Sequence, residues 1–198
     1  MKRLLTLMLA CAAILVMGIA ATAVRAEGGS DSPQDQAENG TTTTQPCTTQ
    51  AGDSRARMSE DRHGTSGDDN ESGTSGDDNM TGDQGDDDLC GDQGDDDLNG
   101  GSGDDVLKGG SGNDTLVGGS GNDNEQGDAG DDDLQGDRGA DHLNGGKGND
   151  DISGGAGNDV INSRDGQRDV VNCGAGRDRV RADRKDRVAK NCESVSRS

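Results

Sequence analysis

The chain has 198 residues, of which 35 are glycine and 26% are hydrophobic, and it contains no Phe, Trp or Tyr. This composition supplies too little apolar surface for a conventional globular core, so folding needs another source of free energy. The net charge is −21, and residues 64–162 alone carry 27 acidic and 3 basic side chains, a net charge of −24. Such an anionic block argues against nucleic acid and anionic membranes as partners and favours cations.

The N-terminus has the three parts of a secretory signal peptide. Two basic residues precede an uncharged apolar run from Leu4 to Ala20, and small residues suited to cleavage follow at Ala23 and Ala26. We expect residues 1–26 to be removed and the mature protein to be secreted into the extracellular space. The alternative is an uncleaved membrane anchor, because the apolar run approaches the length that spans a bilayer.

Three segments follow the predicted signal peptide. Residues 27–63 are rich in Thr, Ser, Gln, Asp and Gly and show neither a helical nor a strand period, which predicts a disordered linker. Residues 64–162 hold a regular repeat. Residues 163–198 keep a degenerate Asp-x-Val pattern, which predicts degenerate repeats and a C-terminal cap.

Four cysteines lie outside the signal peptide, an even number for a protein in an oxidising compartment. The loop between Cys173 and Cys192 is short, so we expect a disulfide bond that closes the cap. Cys47 and Cys90 would then pair by elimination.

Eleven consecutive nine-residue units run from Gly64 to Asn162 without a break in register. Every unit has Gly at positions one and four and Asp at position six, and three of them read GGSGDDVLK, GGSGNDTLV and GGAGNDVIN. A disordered acidic segment has no reason to keep this register, so we interpret the block as a folded repeat array.

The sixth-position Asp of every unit is a candidate calcium ligand. Calcium is a hard cation that takes about six to eight oxygens from carboxylates and backbone carbonyls. Glycine at positions one and four permits a positive φ, which would turn carbonyls toward a bound ion. The predicted metal ligands are Asp69, Asp78, Asp87, Asp96, Asp105, Asp114, Asp123, Asp132, Asp141, Asp150 and Asp159.

Positions seven to nine have room for one short strand, in which position eight points inward and its neighbours point outward. Position eight is Met, Leu or Ile in nine of the eleven units, which predicts a thin aliphatic core in an all-β fold. The exceptions are Glu71 and Glu125. An inward Glu125 has to bend outward, take up a proton or open the array, so we expect its coil to be the weakest. We also expect weak calcium occupancy in the first two units.

The pattern G-G-x-G-x-D-x-U-x, with U a large apolar residue, resembles the haemolysin-type (RTX) calcium-binding nonapeptide repeat. The resemblance implies a parallel β-roll, a β-solenoid in which two nonapeptides form one coil. It also implies that each calcium ion lies between turns n and n+2 on the same edge. The stretch from Asn172 to Val195 resembles the C-terminal end of secreted actinobacterial proteins of this family.

These features predict a secreted, non-enzymatic calcium-binding protein whose folding is coupled to calcium binding. The chain has two histidines, His63 and His142, and their positions provide neither a catalytic triad nor a zinc cluster. The alternative function is a calcium-stiffened structural or adhesion module at the cell surface, in contact with the cell wall. We expect calcium ions as the partner, no nucleic acid, no membrane contact after signal removal, and a monomer.

Overall fold

The computed structural model describes residues 61–198, except for the side chain of Asp61. The predicted signal peptide, most of the predicted linker and Cys47 lie outside the described residues. The described part belongs to one compact unit. It contains strands and no helix, and therefore no helix that is long and apolar enough to cross a membrane.

Eighteen short strands follow one another along the described chain. They are β1 Asp61–His63, β2 Asn70–Ser72, β3 Asn79–Gln84, β4 Asp88–Gln93, β5 Asp97–Ser102, β6 Val106–Ser111, β7 Thr115–Ser120, β8 Asn124–Ala129, β9 Asp133–Arg138, β10 His142–Lys147, β11 Asp151–Ser153, β12 Ala156–Gly157, β13 Val160–Ser163, β14 Val170–Asn172, β15 Ala175–Gly176, β16 Arg179–Ala182, β17 Arg187–Val188 and β18 Ser194–Arg197.

Alternate strands build two parallel sheets. One sheet has the order β1-β3-β5-β7-β9-β11-β14-β17, with the short β12 and β15 attached, and the other has the order β18-β16-β13-β10-β8-β6-β4-β2. Paired residues along the repeats are 18 positions apart, as in the row Leu98, Leu116 and Leu134. Two nonapeptides therefore form one coil, and the predicted all-β parallel β-roll is confirmed.

Most strands are longer than the sequence predicts. A typical strand such as β5 covers six residues, which are positions seven to nine of one repeat and positions one to three of the next. Its burial alternates: Leu98 at position eight and Gly100 at the next position one are buried, whereas Asp97 and Asn99 are exposed. The strand therefore continues through the glycine, which brings successive coils close enough to pair along six residues.

The core consists of two rows of aliphatic side chains, one from each sheet, which face each other inside the roll. Every aliphatic residue at position eight is at most 2% exposed, as predicted. The rows continue beyond the regular repeats through Val171 and Val180. The buried position-eight residues are Met80, Leu89, Leu98, Leu107, Leu116, Leu134, Leu143, Ile152 and Ile161.

The turns place positive φ angles at positions two and four, so the prediction of a positive φ at position one is wrong. From the third repeat onward, position two is Gly or Asp with a positive φ, for example 75° at Asp83 and 105° at Gly101. In the third to tenth repeats, position four is a positive-φ glycine, such as Gly103 at 141°. Glycine is needed at position one because a Cβ there would clash with the carboxylate of the sixth-position Asp. The sequence did not indicate this close approach.

The roll begins at Asp61, three residues before the first regular repeat, and continues through the C-terminal segment. There the pairing interval changes from 18 to 19 residues, since Ile152 pairs with Val171 and Ile161 with Val180. One additional residue is thus accommodated in the loop before Val170, while the inward-facing positions stay aligned.

A disulfide bond joins Cys173 and Cys192, whose Cα atoms are 5.2 Å apart, as predicted. Cys173 is fully buried against the end of the aliphatic core, and Cys192 packs beside it. Cys90 is also disulfide-bonded, and its partner lies outside the described residues. The pairing of Cys90 with Cys47 stays a prediction.

The Cys173–Cys192 bond should stabilise the C-terminal end of the roll. Replacing the partly exposed Cys192 with Ala removes the cross-link but keeps the buried Cys173. We expect Cys192→Ala to lower the free energy of unfolding by about 3 kcal/mol on the loop-entropy argument. Denaturant unfolding in saturating calcium measures this, and an unchanged midpoint would show that the bond contributes nothing to stability.

Candidate metal centre

The sixth-position aspartates form two ladders along the roll. From Asp78 to Asp159 these side chains are at most 3% exposed, whereas Asp69 in the first repeat is half-buried. From Asp87 onward, Oδ1 accepts the backbone N–H of the sixth-position residue 18 positions earlier. Asp114 Oδ1, for example, accepts the N–H of Asp96 at 2.9 Å. Each carboxylate therefore joins one coil to the next.

The other carboxylate oxygen, Oδ2, is buried and has no hydrogen-bond partner in most rungs of these ladders. An ionised carboxylate that is buried without a compensating partner costs several kcal/mol. A whole row of such oxygens is not explained by the protein's own donors. The aspartates with a buried, unpartnered Oδ2 are Asp87, Asp96, Asp105, Asp114, Asp123, Asp132, Asp141, Asp150, Asp159, Asp169 and Asp178.

The position-one glycine forms a cradle around each Oδ2. A Cβ placed on Gly154 would lie 2.7 Å from the carbonyl oxygen of Cys173 on the next coil and still closer to Asp159 Oδ2. A Cβ on Gly136 would lie 2.5 Å from Asp141 Oδ2, and it would also crowd a carbonyl oxygen of the next coil. A carboxylate oxygen and a carbonyl oxygen thus approach the same small space, which only glycine leaves open.

This arrangement fits a hard divalent cation. Both kinds of converging atom are oxygen acceptors, and calcium takes its ligands from carboxylates and backbone carbonyls. No group of three or more His, Cys, Asp or Glu side chains converges within residues 61–198. Each turn contributes one carboxylate, so a cation here has to take its other ligands from the backbone and from adjacent coils.

The first two repeats differ because protein donors reach their carboxylates. Position two is Thr in both, and neither threonine has a positive φ. The backbone N–H of Thr65 donates to Asp69 Oδ2 at 2.6 Å and its hydroxyl donates to the same atom at 3.1 Å. Thr74 makes the same two bonds to Asp78 Oδ2. A β-branched residue disfavours a positive φ. The threonine N–H therefore still points at the sixth-position carboxylate of its own repeat and donates to it.

The ladders extend beyond the predicted ligands. Asp169 Oδ1 accepts the N–H of Asp150, and Asp178 Oδ1 accepts that of Asp159, both at 3.0 Å. Sequence reasoning missed these two residues as candidate ligands, because the additional residue before Asp169 breaks the nine-residue count. The Asp-x-Val pattern at Asp169 and Asp178 was the available signal.

A protein donor closes one of these ladders at its C-terminal end. Asp186 Oδ2 accepts the hydroxyl of Ser163 at 3.0 Å and the N–H of Asp183 at 2.7 Å. In the other ladder, Glu193 accepts the N–H of Asp178 at 2.9 Å, in place of a further aspartate. The unpartnered Oδ2 atoms of the two ladders therefore lie between Asp87 and Asp178, inside the ends of the roll.

The fifth-position side chains form a separate, exposed ladder. Asp104 Oδ1 accepts the backbone N–H of Asn122 at 2.7 Å, and Asn113 and Asn122 accept equivalent bonds as neutral amides. Asp and Asn both supply the side-chain oxygen that accepts this N–H, and the amide nitrogen of Asn122 also donates to Asp104 Oδ1 at 3.0 Å. These residues support the turns without adding a buried charge.

Burial raises the pKa of the ladder carboxyls. The pKa of Asp105 and of Asp123 is raised to about 6, and that of Asp132 to about 7, mainly because burial disfavours the charged form. Backbone hydrogen bonds oppose this shift, and neighbouring aspartates add to it. Burial also raises the pKa of Glu125 well above its usual range, aided by the charges of Asp123 and Asp141.

These shifts predict an acid-stabilised roll in the absence of metal. A carboxyl whose pKa is higher in the folded state takes up a proton on folding, so its contribution is complete below a pH of about 4 and is lost as the pH rises through about 6 to 7. In chelator, we expect β structure to increase as the pH falls from about 8 to about 5. Circular dichroism measures this, and identical spectra across the range would contradict the burial of these carboxyls.

The sequence matches the family model of the RTX calcium-binding nonapeptide repeat over residues 63–98, 91–124 and 126–161. Searches of curated proteins and of solved structures returned no significant match. The matched segments contain the eleven regular repeats except Glu125 and the last residue, Asn162, and their fold is the parallel β-roll described above. RTX nonapeptide repeats bind calcium ions, which agrees with the unpartnered carboxylate oxygens. The chain is therefore an RTX-type repeat protein of the calcium-binding nonapeptide family.

Proposed function

We propose that this protein is a secreted, non-enzymatic calcium-binding protein whose roll folds when calcium binds. The observation that carries the proposal is the eleven buried Oδ2 atoms of the two ladders, which have no hydrogen-bond donor. The proposed ligands are the predicted aspartates from Asp87 to Asp159, together with Asp169 and Asp178. Secretion rests on the N-terminal sequence pattern of residues 1–26.

Coupling of folding to binding follows from charge and core size. Residues 64–162 carry a net charge of −24, and folding stacks their sixth-position carboxylates into two rows. The core that opposes this repulsion is thin, with one row of inward side chains from each sheet. Calcium would supply positive charge and bridge oxygens from adjacent coils. Without it, the repulsion and the desolvation of the carboxylates oppose folding near neutral pH.

The chain's own residues shape each site in the folded roll. The backbone N–H of the preceding coil holds Oδ1, which leaves Oδ2 directed at the position-one glycine. The positive φ at position two turns that residue's N–H away from Oδ2, in contrast to the threonines of the first two repeats. Only oxygen acceptors are thus left around the cradle, which favours a cation over a protein donor.

The first test compares calcium with magnesium. We expect the full chain to be largely unstructured in chelator near neutral pH and to gain β structure cooperatively in millimolar calcium. Magnesium should be a poor substitute, because it requires a tight octahedral shell and loses water reluctantly. Circular dichroism in chelator, calcium and magnesium gives the result. Equal spectra in chelator and calcium would refute the coupling of folding to binding.

The second test separates the two ladders with a matched pair of variants. Asp114→Asn and Asp104→Asn remove the same charge and keep a side-chain oxygen for the backbone N–H that each aspartate accepts. We expect Asp114→Asn to reduce the number of bound calcium ions and to weaken binding by at least on the order of tenfold, the effect of losing an outer-shell partner. Asp104→Asn should stay close to wild type.

Calorimetric calcium titration of both variants measures the difference. Asn113 and Asn122 already occupy the fifth position in neighbouring repeats, so Asp104→Asn introduces a residue that this ladder accepts. Equal losses in the two variants would mean that total negative charge, and not the buried Oδ2, determines calcium binding.

A further inference from the structure

We propose that Glu125 is a second carboxylate ligand in the seventh repeat and that this repeat holds the tightest calcium site of the roll. The inference rests on the proposed function, because it adds a ligand to a site that already includes Asp123. Glu125 occupies position eight, which belongs to the aliphatic core in nine of the other ten repeats.

Glu125 is built into the roll without disturbing it. In the sheet it lies between Leu107 and Leu143, and β8 pairs with β6 and β10 along its length. The side chain is 0% exposed. The roll therefore neither opens at this repeat nor turns the carboxyl group out to solvent.

The two oxygens of Glu125 have different surroundings. Oε1 accepts the backbone N–H of Gly118 at 3.1 Å. Oε2 is buried and has no hydrogen-bond partner. A fully buried carboxyl group with a free oxygen has to take up a proton or bind a positively charged partner.

Glu125 and Asp123 approach the same cradle. A Cβ placed on Gly118 would lie 2.5 Å from Asp123 Oδ2 and 2.8 Å from Glu125 Oε1. The two oxygens are therefore at most about 5.3 Å apart, the sum of these two distances, a separation that one calcium ion, which binds oxygens at about 2.3–2.6 Å, can bridge from a position beside Gly118. At the position-one glycine of every other repeat, any carboxylate oxygen among the three closest atoms belongs to the sixth-position Asp. The seventh repeat is thus distinct in offering two carboxylates at one point.

Glu71 shows that a position-eight glutamate does not create such a site by itself. It also has a buried oxygen without a hydrogen-bond partner. At its repeat, however, Thr65 already donates to Asp69 Oδ2, and the atoms closest to the Gly64 cradle belong to Gly82 and Asp69. Glu71 therefore provides a matched control with the same residue at the same position.

The number of charged ligands is a main determinant of calcium affinity. Two carboxylates in a buried site should bind calcium at a lower concentration than the single-carboxylate rungs on either side. Since β8 lies in the middle of its sheet, the first ion would order the centre of the roll, from which coils can be added in both directions.

The test uses the full chain and three variants, Glu125→Leu, Glu125→Gln and Glu71→Leu. Calorimetric titration counts the calcium ions and their affinities, and denaturant unfolding in saturating calcium gives stability. We expect both Glu125 variants to lose the tightest binding event or to weaken it by at least on the order of tenfold. Glu71→Leu should keep that event unchanged.

A different result is expected if Glu125 does not bind calcium. If Glu125 is only a buried carboxyl group, Leu at this position completes the aliphatic row, so Glu125→Leu would bind calcium as tightly as wild type or more tightly and would resist denaturant better. That outcome overturns the inference, even though the roll still binds calcium. Glu125→Gln nearly preserves the side-chain shape, so it decides the question if Glu125→Leu fails to fold. A wild-type chain that binds no calcium would instead overturn the proposed function.

Discussion

The roll depends on how each sixth-position carboxylate divides its two oxygens. Oδ1 accepts a backbone N–H from the preceding coil and so fixes the stacking of coils. Oδ2 is left buried in an acceptor-only cradle. The hydrogen-bond ladder alone would leave a column of unpaired charge in the protein, which a cation has to neutralise. The same side chain therefore sets both the geometry of the coil and its requirement for metal.

At the two ends of the roll, protein donors and not a cation bind the buried carboxylates. At the N-terminal end, Thr65 and Thr74 direct an amide and a hydroxyl at the carboxylates that elsewhere lack donors. At the C-terminal end, Ser163 does the same for Asp186, and a disulfide bond closes the cap. Protein donors thus take over the role of the cation where the stack of coils stops. This arrangement confines cation dependence to the interior coils.

Much of this fold is encoded in the nine-residue register. The two-repeat coil and the buried residues from Met80 to Ile161 follow from the repeat and from strand alternation, and both predictions are confirmed. The role of glycine at position one was not predictable in this way, because its crowding involves a carbonyl oxygen two repeats later in the chain. Asp169 and Asp178 were missed for a related reason, since a count of nine residues fails where the coil absorbs an additional residue.

The same distinction explains Glu125. Its inward position was predictable from the register, but its proximity to Asp123 Oδ2 depends on how both side chains fold over Gly118. The sequence alone predicts a weak coil there, whereas the structure places two carboxylates around one cradle. A charge that is unfavourable by itself becomes favourable when it shares a cation with a neighbour.

The most direct measurement of the central claim is long-wavelength anomalous diffraction from crystals grown in calcium. Calcium peaks should follow the Oδ2 atoms in two rows from Asp87 to Asp178, with none at Asp69 or Asp78, where Thr65 and Thr74 already supply donors. The account would be contradicted if no calcium lay beside the interior Oδ2 atoms, or if calcium lay only on the exposed fifth-position side chains.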